Sequence, residues 1–360
     1  MRKVSKRVLE WCRRCDRAEA LKQRRISGVH RNKRFSLSRA RHFSTAKIRL
    51  PDTISLSSTD SRTCLLNAIR KLKESVTDMG KSNVVIDFSK VTHLHPCGTL
   101  LLVAEIERLL QGSPHASKLS AIYPTDRVVE QMFQHIHLLE RLGLEPRIEE
   151  INASNVIPWL YASGHEGDLD SIAEKLPKIL TEGSNMDLRM ALLSGMAEAV
   201  ANSSEHAYVK IRKTPLPDTT PLKWWLFARQ IGDEVAVVIC DLGRGIPGTL
   251  EANWKDELSS FFKSRQGVKR KDHKMIQLAF TVGKTSTLKK NRGKGLKDIL
   301  KVVQVQKVGG LSIFSNRGIY SMDNSTGSET SVDEKSSING TIVQWKIPIE
   351  AFGLEVSERS

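Results

Sequence analysis

The stretch Met196–Tyr208, with the sequence MAEAVANSSEHAY, is the segment from which we interpret the fold of this chain. It predicts an amphipathic helix on which Glu198, Asn202 and His206, spaced four residues apart, share one polar stripe. The side expected to pack against a core contains Leu188, Leu192, Met196 and Val200. A carboxylate and an amide one turn apart suit a general base beside an oxygen ligand for Mg²⁺, although the same spacing also fits a solvated helix face.

Composition indicates a globular protein of more than one domain. The chain has 360 residues, which at about 100 to 200 residues per domain predicts two domains or one domain with a large extension. Hydrophobic residues make up 39% of the chain, and no apolar run approaches the roughly 20 residues that a membrane span needs. The first residues are basic with no apolar segment behind them, and the five cysteines are an odd number for a disulfide framework. We therefore expect a soluble, cytoplasmic protein that does not bind membranes.

Positive charge is concentrated in residues 1–50. This segment contains 17 Lys or Arg residues against three acids, whereas the rest of the chain contains 39 against 37. Such an arm could bind nucleic acid or an acidic partner through counterion release, and it could equally be a flexible, solvated tail. Cys12 and Cys15 form a single C-x-x-C with His30 as the only nearby third ligand, which falls short of the four ligands of a zinc site.

Residues 51–150 have the mixed pattern of a small α/β domain. Helical periodicity alternates with short apolar runs that resemble buried strands. In chain order, these segments are Cys64–Met79, Asn83–Phe88, Gly98–Leu110, Leu119–Tyr123 and Asp126–Leu142. Their alternation predicts a layered α/β arrangement.

The run VVIDFSKVTHLHPCGTLLLVAEIERLL at Val84–Leu110 resembles the central strand, loop and helix of STAS domains, the fold of the anti-sigma-factor antagonists. In that family the loop usually carries D-S-S-G, and one serine accepts phosphate from a partner kinase. This chain has H-P-C-G at residues 95–98, so the glycine is kept and the acceptor hydroxyl is missing. The resemblance therefore implies a binding or scaffolding role for the loop. His93, His95 and Cys97 surround a proline and are expected to be loop residues rather than metal ligands.

Changes in pattern mark the second domain. Residues 151–166 are interpreted as a linker with one strand, and residues 167–350 as a larger α/β domain. Two strand-like runs, Lys223–Gln230 and Glu234–Cys240, predict a hairpin whose second strand is central. Residues 351–360 are expected to form a tail.

A glycine-rich turn follows this hairpin. Gly243, Gly245 and Gly248 satisfy G-x-G-x-x-G, but a dinucleotide motif should follow the first strand of a βαβ unit rather than a hairpin. Asp241, two residues before the first glycine, would repel a pyrophosphate. Its carboxylate could instead accept a hydrogen bond from an exocyclic amine such as that of adenine.

The segment 247–292 is long, basic and threaded with phenylalanines, which predicts a mobile lid over a site. After it, R-G-K-G-L at residues 292–296 opens the apolar-periodic helix Leu296–Val305. Glycines that enter a helix beside positive charge would present backbone N–H groups to phosphates.

The C-terminal part of the domain is expected to be strands with one insert. Leu311–Phe314 and the residues around Ile319–Tyr320 predict two strands. Residues 323–337 are polar and rich in Ser, Thr and acids, which predicts a disordered insert. G-T at residues 340–341 then leads into the closing strand IVQWKIPI.

Four motifs thus occur in one order along the chain. They are E-x-x-x-N-x-x-x-H-x-Y at residues 198–208, D-x-G-x-G at 241–245, G-x-G-L at 293–296 and G-T at 340–341. Over roughly Gly167–Ile349, this order resembles the GHKL ATPases, which comprise gyrase, the heat-shock chaperone, histidine kinases and mismatch-repair ATPases. The His-x-Tyr ending is most similar to that of the anti-sigma-factor serine kinases. The resemblance implies an α/β two-layer sandwich, the Bergerat-type ATPase domain, preceded by the STAS-like α/β domain, with ATP and Mg²⁺ as ligands.

The resemblance also implies a role for each matching residue. Glu198 matches the acid that activates the attacking hydroxyl or water, and Asn202 matches the Mg²⁺ ligand. Asp241 matches the carboxylate that binds the adenine amine. The remaining nucleotide-binding positions are Gly243, Gly245 and Thr341 around the adenine, Gly293, Lys294, Gly295 and Leu296 at the phosphate end of the lid, and Ser286 and Thr287 as looser lid matches. His206 and Tyr208 match in position, and we expect them to hold the helix in place.

Three functions compete on this basis. The first is an ATP-dependent protein kinase that acts on a serine or threonine of a regulatory partner, since no H-[DE]-x-x-x-P segment of a histidine kinase occurs. The second is a nucleotide-gated switch or slow ATPase, in which closure of the lid alters what the STAS-like domain or the basic arm binds. The third is a nucleic-acid-binding protein dominated by residues 1–50. The expected partners are ATP, a regulatory protein, nucleic acid and, in a homodimer, a second copy of the chain.

Overall fold

A computed structural model of the chain describes residues 44–77, 81–112, 119–148, 160–165, 184–208, 223–253, 258–259, 270–282, 295–305 and 307–353. Residues from Ser44 onward belong to one compact unit. We call residues 44–148 the N-terminal region and residues 160–353 the C-terminal region. The predicted basic arm lies outside the described residues as far as residue 43.

The N-terminal region alternates strands and helices, as the sequence predicts. Its elements are β1 (Ser44–Arg49), β2 (Thr53–Ile54), α1 (Thr59–Thr77), β3 (Lys81–Asp87), β4 (His93–Leu94), α2 (Pro96–Gly112), β5 (Leu119–Ile122), α3 (Arg127–His135) and α4 (Leu138–Arg141). Strands β1, β3 and β5 form a parallel sheet in that order, and β2 pairs in parallel with β4. The single helix predicted at Asp126–Leu142 is two helices, because His137 has a φ of 55° and interrupts the helical backbone.

Residues 44–49 form strand β1 and so do not belong to the basic arm that the sequence predicts for residues 1–50. Ile48 is buried opposite Ile86 of β3, whereas Lys47 and Arg49 are exposed. The Lys47 ammonium lies 3.0 Å from the carboxylate of Asp87, and Arg49 lies 3.5 Å from it. The two basic side chains therefore belong to a strand with alternating burial, and the arm ends before Ser44.

The C-terminal region is built on one seven-stranded sheet. Its elements are β6 (Leu160–Gly164), α5 (Met186–Glu205), β7 (Trp224–Ile231), β8 (Glu234–Asp241), α6 (Gly245–Asn253), α7 (Asp272–Val282), α8 (Gly295–Val305), β9 (Gly310–Ser315), β10 (Gly318–Asp323), β11 (Ser328–Asp333), β12 (Thr341–Pro348) and a 3₁₀ helix (Ile349–Phe352). The strand order is β11-β10-β9-β12-β8-β7-β6, and each neighbouring pair is antiparallel. The predicted hairpin, closing strand and mixed α/β class are confirmed.

Three predictions for this region need correction. Residues 323–337 are not a disordered insert, because β11 pairs with β10 through a full antiparallel register. In the lid predicted at residues 247–292, the described residues are the end of α6, residues 258–259 and residues 270–282 with helix α7, which buries Met275, Ile276 and Phe280. Residues 254–257, 260–269 and 283–292 lie outside the described residues. The predicted tail begins inside the 3₁₀ helix, where Phe352 is fully buried. Backbone pairing and apolar packing thus order segments whose composition looks polar or irregular.

Helix α2 lies between the two regions and is buried on all sides. Residues 97–107 are buried without exception. The helix contacts α1 on one side and strands β7 and β8 on the other. One hydrophobic core therefore combines the N-terminal region with Trp225, Phe227, Cys240 and Phe314 of the sheet, while α5 and α8 cover the opposite face. Despite the apolar character of α2, none of the described helices combines the length and hydropathy that crossing a membrane requires.

Candidate nucleotide site

Helix α5 carries the polar stripe that the sequence predicts. Asn185 caps its N-terminus by accepting a 3.2 Å hydrogen bond from the backbone nitrogen of Leu188. The buried side includes all four apolar residues expected there, which are Leu188, Leu192, Met196 and Val200. These side chains share a core with strands β8 and β12. The prediction of a helix with one packed side is confirmed.

Glu198 and Asn202 lie one turn apart on α5 and are hydrogen-bonded to each other. Asn202 Nδ2 donates to Glu198 Oε1 at 3.0 Å, and both side chains are half-buried. Among the described residues, no donor lies within hydrogen-bond distance of Asn202 Oδ1. Burial raises the pKa of Glu198; the hydrogen bond from Asn202 opposes this rise, and the carboxylates of Asp298 and Glu205 add to it. The pair thus presents a carboxylate with raised proton affinity beside an amide oxygen, which suits a general base next to a cation ligand.

Asp241 ends the central strand β8, and only 5% of the residue is exposed. Its Oδ1 accepts a 2.9 Å hydrogen bond from the backbone nitrogen of Gly243, and Thr341 lies opposite it in the register with β12. Burial raises the pKa of Asp241 to about 6, although hydrogen bonds from Gly243, Thr341 and Ser203 oppose the rise. No cation among the described residues forms an ion pair with this carboxylate. A buried carboxylate held by neutral donors is suited to accept a further hydrogen bond from an exocyclic amine.

Ser203, which the sequence analysis missed, joins helix α5 to this carboxylate. The residue is 4% exposed, and its hydroxyl lies 2.9 Å from Ala199 O and 3.4 Å from Asp241 Oδ2. One hydroxyl hydrogen is shared between these two acceptors. The sequence does contain one signal for Ser203, which is its position on the helix. Ser203 continues the apolar stripe, so its hydroxyl must be buried and must have a hydrogen-bond partner.

The turn after Asp241 approaches helix α5 closely. The backbone nitrogen of Arg244 donates to Ala207 O at 2.9 Å, and a Cβ on Gly243 would lie only 2.4 Å from the same oxygen. Gly245 has a φ of +73°, in the left-handed region, and begins helix α6. The glycines therefore permit the sharp turn that the sequence predicts, with the close approach made to the protein's own backbone.

Two further residues that the sequence analysis missed hold this turn from the other side. Ser315 Oγ accepts a 2.8 Å hydrogen bond from the backbone nitrogen of Ile246 and lies 3.1 Å from Thr341 Oγ1. Asn316 Nδ2 donates to Arg244 O at 2.8 Å, from a two-residue turn between β9 and β10 in which Asn316 has a φ of 52°. Asn as the first residue of a two-residue turn that a glycine follows signals a hairpin, but nothing in the sequence connects that hairpin to Asp241.

Tyr208 and His206 have different surroundings. The hydroxyl of Tyr208 donates to Lys223 O at 2.5 Å and accepts a 3.1 Å hydrogen bond from the backbone nitrogen of Leu242. The residue is buried and joins the end of α5 to the start of β7 and to the residue after Asp241. His206 is the C-cap of α5, and its side chain is 43% exposed. The proposed supporting role thus has observed contacts for Tyr208, while the ring of His206 faces solvent.

Helix α8 brings part of the predicted phosphate motif next to α5. The helix begins at Gly295, one residue before the predicted start at Leu296, and Leu296 packs against the neighbouring core. The first turn of α8 also contains Asp298, which the sequence analysis missed and which acts electrostatically on Glu198. The other lid positions, Ser286, Thr287, Gly293 and Lys294, lie outside the described residues.

The described residues fit a nucleotide with its cation. Asp241 offers a buried acceptor to a neutral donor, and Asn202 offers an amide oxygen of the kind that Mg²⁺ accepts. The backbone N–H groups that begin α8 suit a phosphate. Among the described residues, no group of three or more His, Cys, Asp or Glu side chains is arranged to hold a metal ion. A cation held by Asn202 and by the phosphates themselves would need no such group.

The H-P-C-G segment at residues 95–98 is not a loop: Pro96, Cys97 and Gly98 begin helix α2, which packs against the chain's own sheet. Cys97 is fully buried, and its Sγ donates to Gln344 Oε1 of β12 at 3.1 Å. Burial lowers the pKa of His95 to about 4, and the nearby Lys346 lowers it further. His93 is exposed. This segment therefore takes part in the contact between the two regions, and the loop predicted for His93, His95 and Cys97 is instead strand β4, one connecting residue and the first turn of α2.

Comparison with known proteins adds no assignment: no protein-family model matches the chain, and no curated protein matches it.

Proposed function

We propose that this protein binds ATP and Mg²⁺ and transfers the γ-phosphoryl group to a serine or threonine of a regulatory protein. The observation that carries the proposal is the buried carboxylate of Asp241, which neutral donors hold at the end of the central strand. Ser203 links it to the helix that presents Glu198 and Asn202. The order of the four sequence motifs supports the class, a GHKL ATPase nearest to the anti-sigma-factor serine kinases. An antiparallel sheet with α5 and α8 on one face is compatible with the Bergerat-type sandwich of that class.

In the proposed reaction, Glu198 accepts the proton of the attacking hydroxyl while the hydroxyl oxygen forms a bond to the γ-phosphorus. The bond between the γ-phosphorus and its bridging oxygen breaks, and ADP leaves with the electron pair. Mg²⁺, when bound through Asn202 Oδ1, would neutralise phosphate charge. Asp241 would accept a hydrogen bond from the adenine amine, and the first N–H groups of α8 would bind phosphate oxygens. The protein then contributes mainly position and electrostatics, which is what phosphoryl transfer requires.

The experiment that tests this proposal follows the label of γ-³²P-ATP with Mg²⁺ in an extract of the source cells. The intact protein is compared with Glu198→Gln and with Asp187→Asn, an exposed acid in the first turn of the same helix. We expect a labelled protein band with the intact protein and with Asp187→Asn, and a loss of at least about a hundredfold in labelling with Glu198→Gln. Labelling that does not depend on Glu198 would overturn the assigned role.

A second candidate is an ATP-gated switch or slow ATPase that controls the binding of a partner or of nucleic acid. The observation that favours it is the burial of Cys97 against Gln344, because the segment of this chain that matches the phosphoacceptor loop of STAS domains has a buried cysteine and no hydroxyl at this position. In the same experiment, Glu198-dependent free phosphate without a labelled band would support the switch over the kinase.

A further inference from the structure

Arg62 of helix α1 connects the N-terminal region to the candidate nucleotide site. The residue is only 1% exposed, and its Nη2 donates to Asn316 O at 3.1 Å and to Ser336 O at 3.2 Å. Both acceptors belong to the C-terminal region. One turn earlier on the same helix face, Thr59 Oγ1 donates to Glu334 Oε1 at 2.8 Å. The first turn of α1 therefore holds the β9–β10 turn and the segment that leads to β12.

Asn316 is the point where three parts of the protein meet. Its carbonyl oxygen accepts from Arg62, its side-chain amide donates to Arg244 O at 2.8 Å, and its backbone nitrogen donates to Gly340 O at 3.0 Å. Arg244 belongs to the turn after Asp241, and Gly340 precedes Thr341. Asn316 is therefore hydrogen-bonded to both backbone segments that hold the carboxylate of Asp241.

The surroundings of Arg62 are unfavourable for a residue that serves stability alone. Its Nε and Nη1 are buried and have no hydrogen-bond partner among the described residues. Burial lowers the pKa of Arg62 to about 10, and the nearby Glu334 opposes this only in part. An apolar side chain of similar size is often as stable as a buried charge, or more stable, at such a position. The guanidinium adds directed hydrogen bonds, which fix the positions of two carbonyl groups in the C-terminal region.

We propose that Arg62 is a positioning residue through which the N-terminal region sets the geometry of the Asp241 turn, so that nucleotide binding and the docking of the N-terminal region are coupled. The inference rests on the proposed nucleotide site. Coupling of this kind is reciprocal: if the docked region strengthens nucleotide binding, bound nucleotide strengthens docking by the same factor. The N-terminal region then acts on the site from within the same chain.

The first test measures Mg-ATP binding by calorimetry, together with thermal stability, for the full chain and three variants. Arg62→Met removes the directed hydrogen bonds and keeps the volume, Arg62→Lys keeps one charged donor, and Arg70→Met alters an arginine on the same helix whose side chain is 61% exposed. We expect Arg62→Met to bind ATP about tenfold more weakly, the scale of a lost charged hydrogen bond, with a melting temperature that is unchanged or higher. Arg62→Lys should recover most of the affinity, and Arg70→Met should bind as the parent does.

The outcomes separate this inference from the proposed function. If the parent protein does not bind Mg-ATP, the proposed function fails. If the parent binds and Arg62→Met binds equally well, the function stands and the positioning role of Arg62 is overturned. A variant that loses affinity only in proportion to a loss of folded protein would assign Arg62 a structural role and would also overturn the inference.

A second test measures the effect of nucleotide on the N-terminal region. Hydrogen exchange of α1 is measured with and without Mg-ATP, and we expect nucleotide to slow exchange in the first turns of α1 in the parent protein but not in Arg62→Met. Asn316→Gly keeps the left-handed backbone and removes the side-chain hydrogen bond to Arg244 O. Asn339→Gly is the matched control, because Asn339 has the same φ of 52° and an exposed side chain. The effects of Arg62→Met and Asn316→Gly on ATP affinity should combine less than additively. Unchanged exchange or full additivity would contradict the coupling.

Discussion

The indole Nε1 of Trp225 donates a 2.9 Å hydrogen bond to Glu107 Oε2 and so joins strand β7 to helix α2 across the boundary between the two regions. The same carboxylate accepts from Lys223 Nζ at 2.8 Å, from Arg141 and from the hydroxyl of Tyr161. Burial alone would raise the pKa of Glu107, but the hydrogen bonds from Lys223, Tyr161 and Trp225 and the charge of Arg141 bring it below its ordinary value. Glu107 is thus a buried acid on which donors from both regions converge.

The substitution Glu107→Gln is expected to lower the free energy of unfolding by about 3 kcal/mol, because it leaves Lys223 and Arg141 without their anionic partner. Denaturant unfolding followed by tryptophan fluorescence measures this effect. Glu140→Gln is the control, since Glu140 is 50% exposed, and it should change stability by no more than about 0.5 kcal/mol. Equal effects of the two substitutions would contradict the role given to Glu107.

The pH dependence of the same contact has a defined sign. The pKa of Glu107 is lower in the folded protein than its ordinary value of 4.5, so the stability it contributes is complete above that value. It is lost as the pH falls below 4.5 and through the folded pKa. The stability difference between the parent protein and Glu107→Gln should therefore shrink as the pH is lowered from 6 towards 3.

The contact between the regions shows what sequence patterns leave open. The segments of both regions could be predicted from periodicity, but the partner of each apolar surface could not. Helix α2 contains five consecutive apolar residues, LLLVA at residues 100–104, a pattern that indicates burial between two layers, yet the second layer is more than 100 residues away along the chain. Glu107 follows that apolar run, and its donors are recognisable only once Trp225 and Tyr161 are placed beside it.

The substitution Asp241→Asn is expected to stabilise the protein and to abolish ATP binding. The pKa of Asp241 is raised to about 6 from 3.8, so the carboxylate lowers stability by roughly 3 kcal/mol at neutral pH. Because the folded pKa is raised, this loss is absent below pH 3.8 and complete only above about pH 6. Asparagine keeps an oxygen that accepts from the Gly243 nitrogen and removes the buried charge. Its other polar group is an NH₂, which donates and so cannot accept a hydrogen bond from an adenine amine.

Thermal unfolding at pH 5 and pH 8, with calorimetric titration of Mg-ATP at pH 8, checks both parts of this prediction. The gain in stability from Asp241→Asn should be larger at pH 8 than at pH 5. Asp233→Asn, in the exposed turn between β7 and β8, should leave both stability and binding unchanged. A destabilised Asp241→Asn variant would mean that the carboxylate serves the fold rather than a ligand.

Tyr208 and His206 provide a matched pair at the end of helix α5. Tyr208→Phe leaves the backbone nitrogen of Leu242 and the carbonyl of Lys223 without a partner, so it should lower the free energy of unfolding by about 1 to 3 kcal/mol. His206→Gln alters a half-exposed ring and should stay within about 0.5 kcal/mol of the parent protein. Urea unfolding curves for the two variants decide the matter, and a large effect of His206→Gln with none of Tyr208→Phe would reverse the roles.

The motifs of the candidate site could be predicted from the sequence, but the residues that hold them in place could not. Helical spacing placed Glu198 beside Asn202, and an apolar strand that ends in an acid placed Asp241, because both patterns are local. Ser203, Ser315 and Asn316 are common polar residues whose importance comes from distant partners, and no local pattern distinguishes them from other serines and asparagines. The insert at residues 323–337 misled for a related reason: the backbone hydrogen bonds of an edge strand do not depend on apolar side chains.

The ordered insert has a consequence for helix α7, whose first residues are capped by an acid more than 50 positions later in the chain. Asp333 at the end of β11 accepts 2.8 Å and 3.2 Å hydrogen bonds from the backbone nitrogens of His273 and Asp272, and its Oδ1 also lies 2.9 Å from His273 Nδ1. Asp333→Ala should therefore lower stability by about 1 to 2 kcal/mol, as for a lost helix cap, and should speed hydrogen exchange in the first turn of α7. Thr330→Ala, an exposed position on the same strand, is the control. If exchange in α7 is the same in both variants, the insert does not hold this helix, and its pairing with β10 serves the sheet alone.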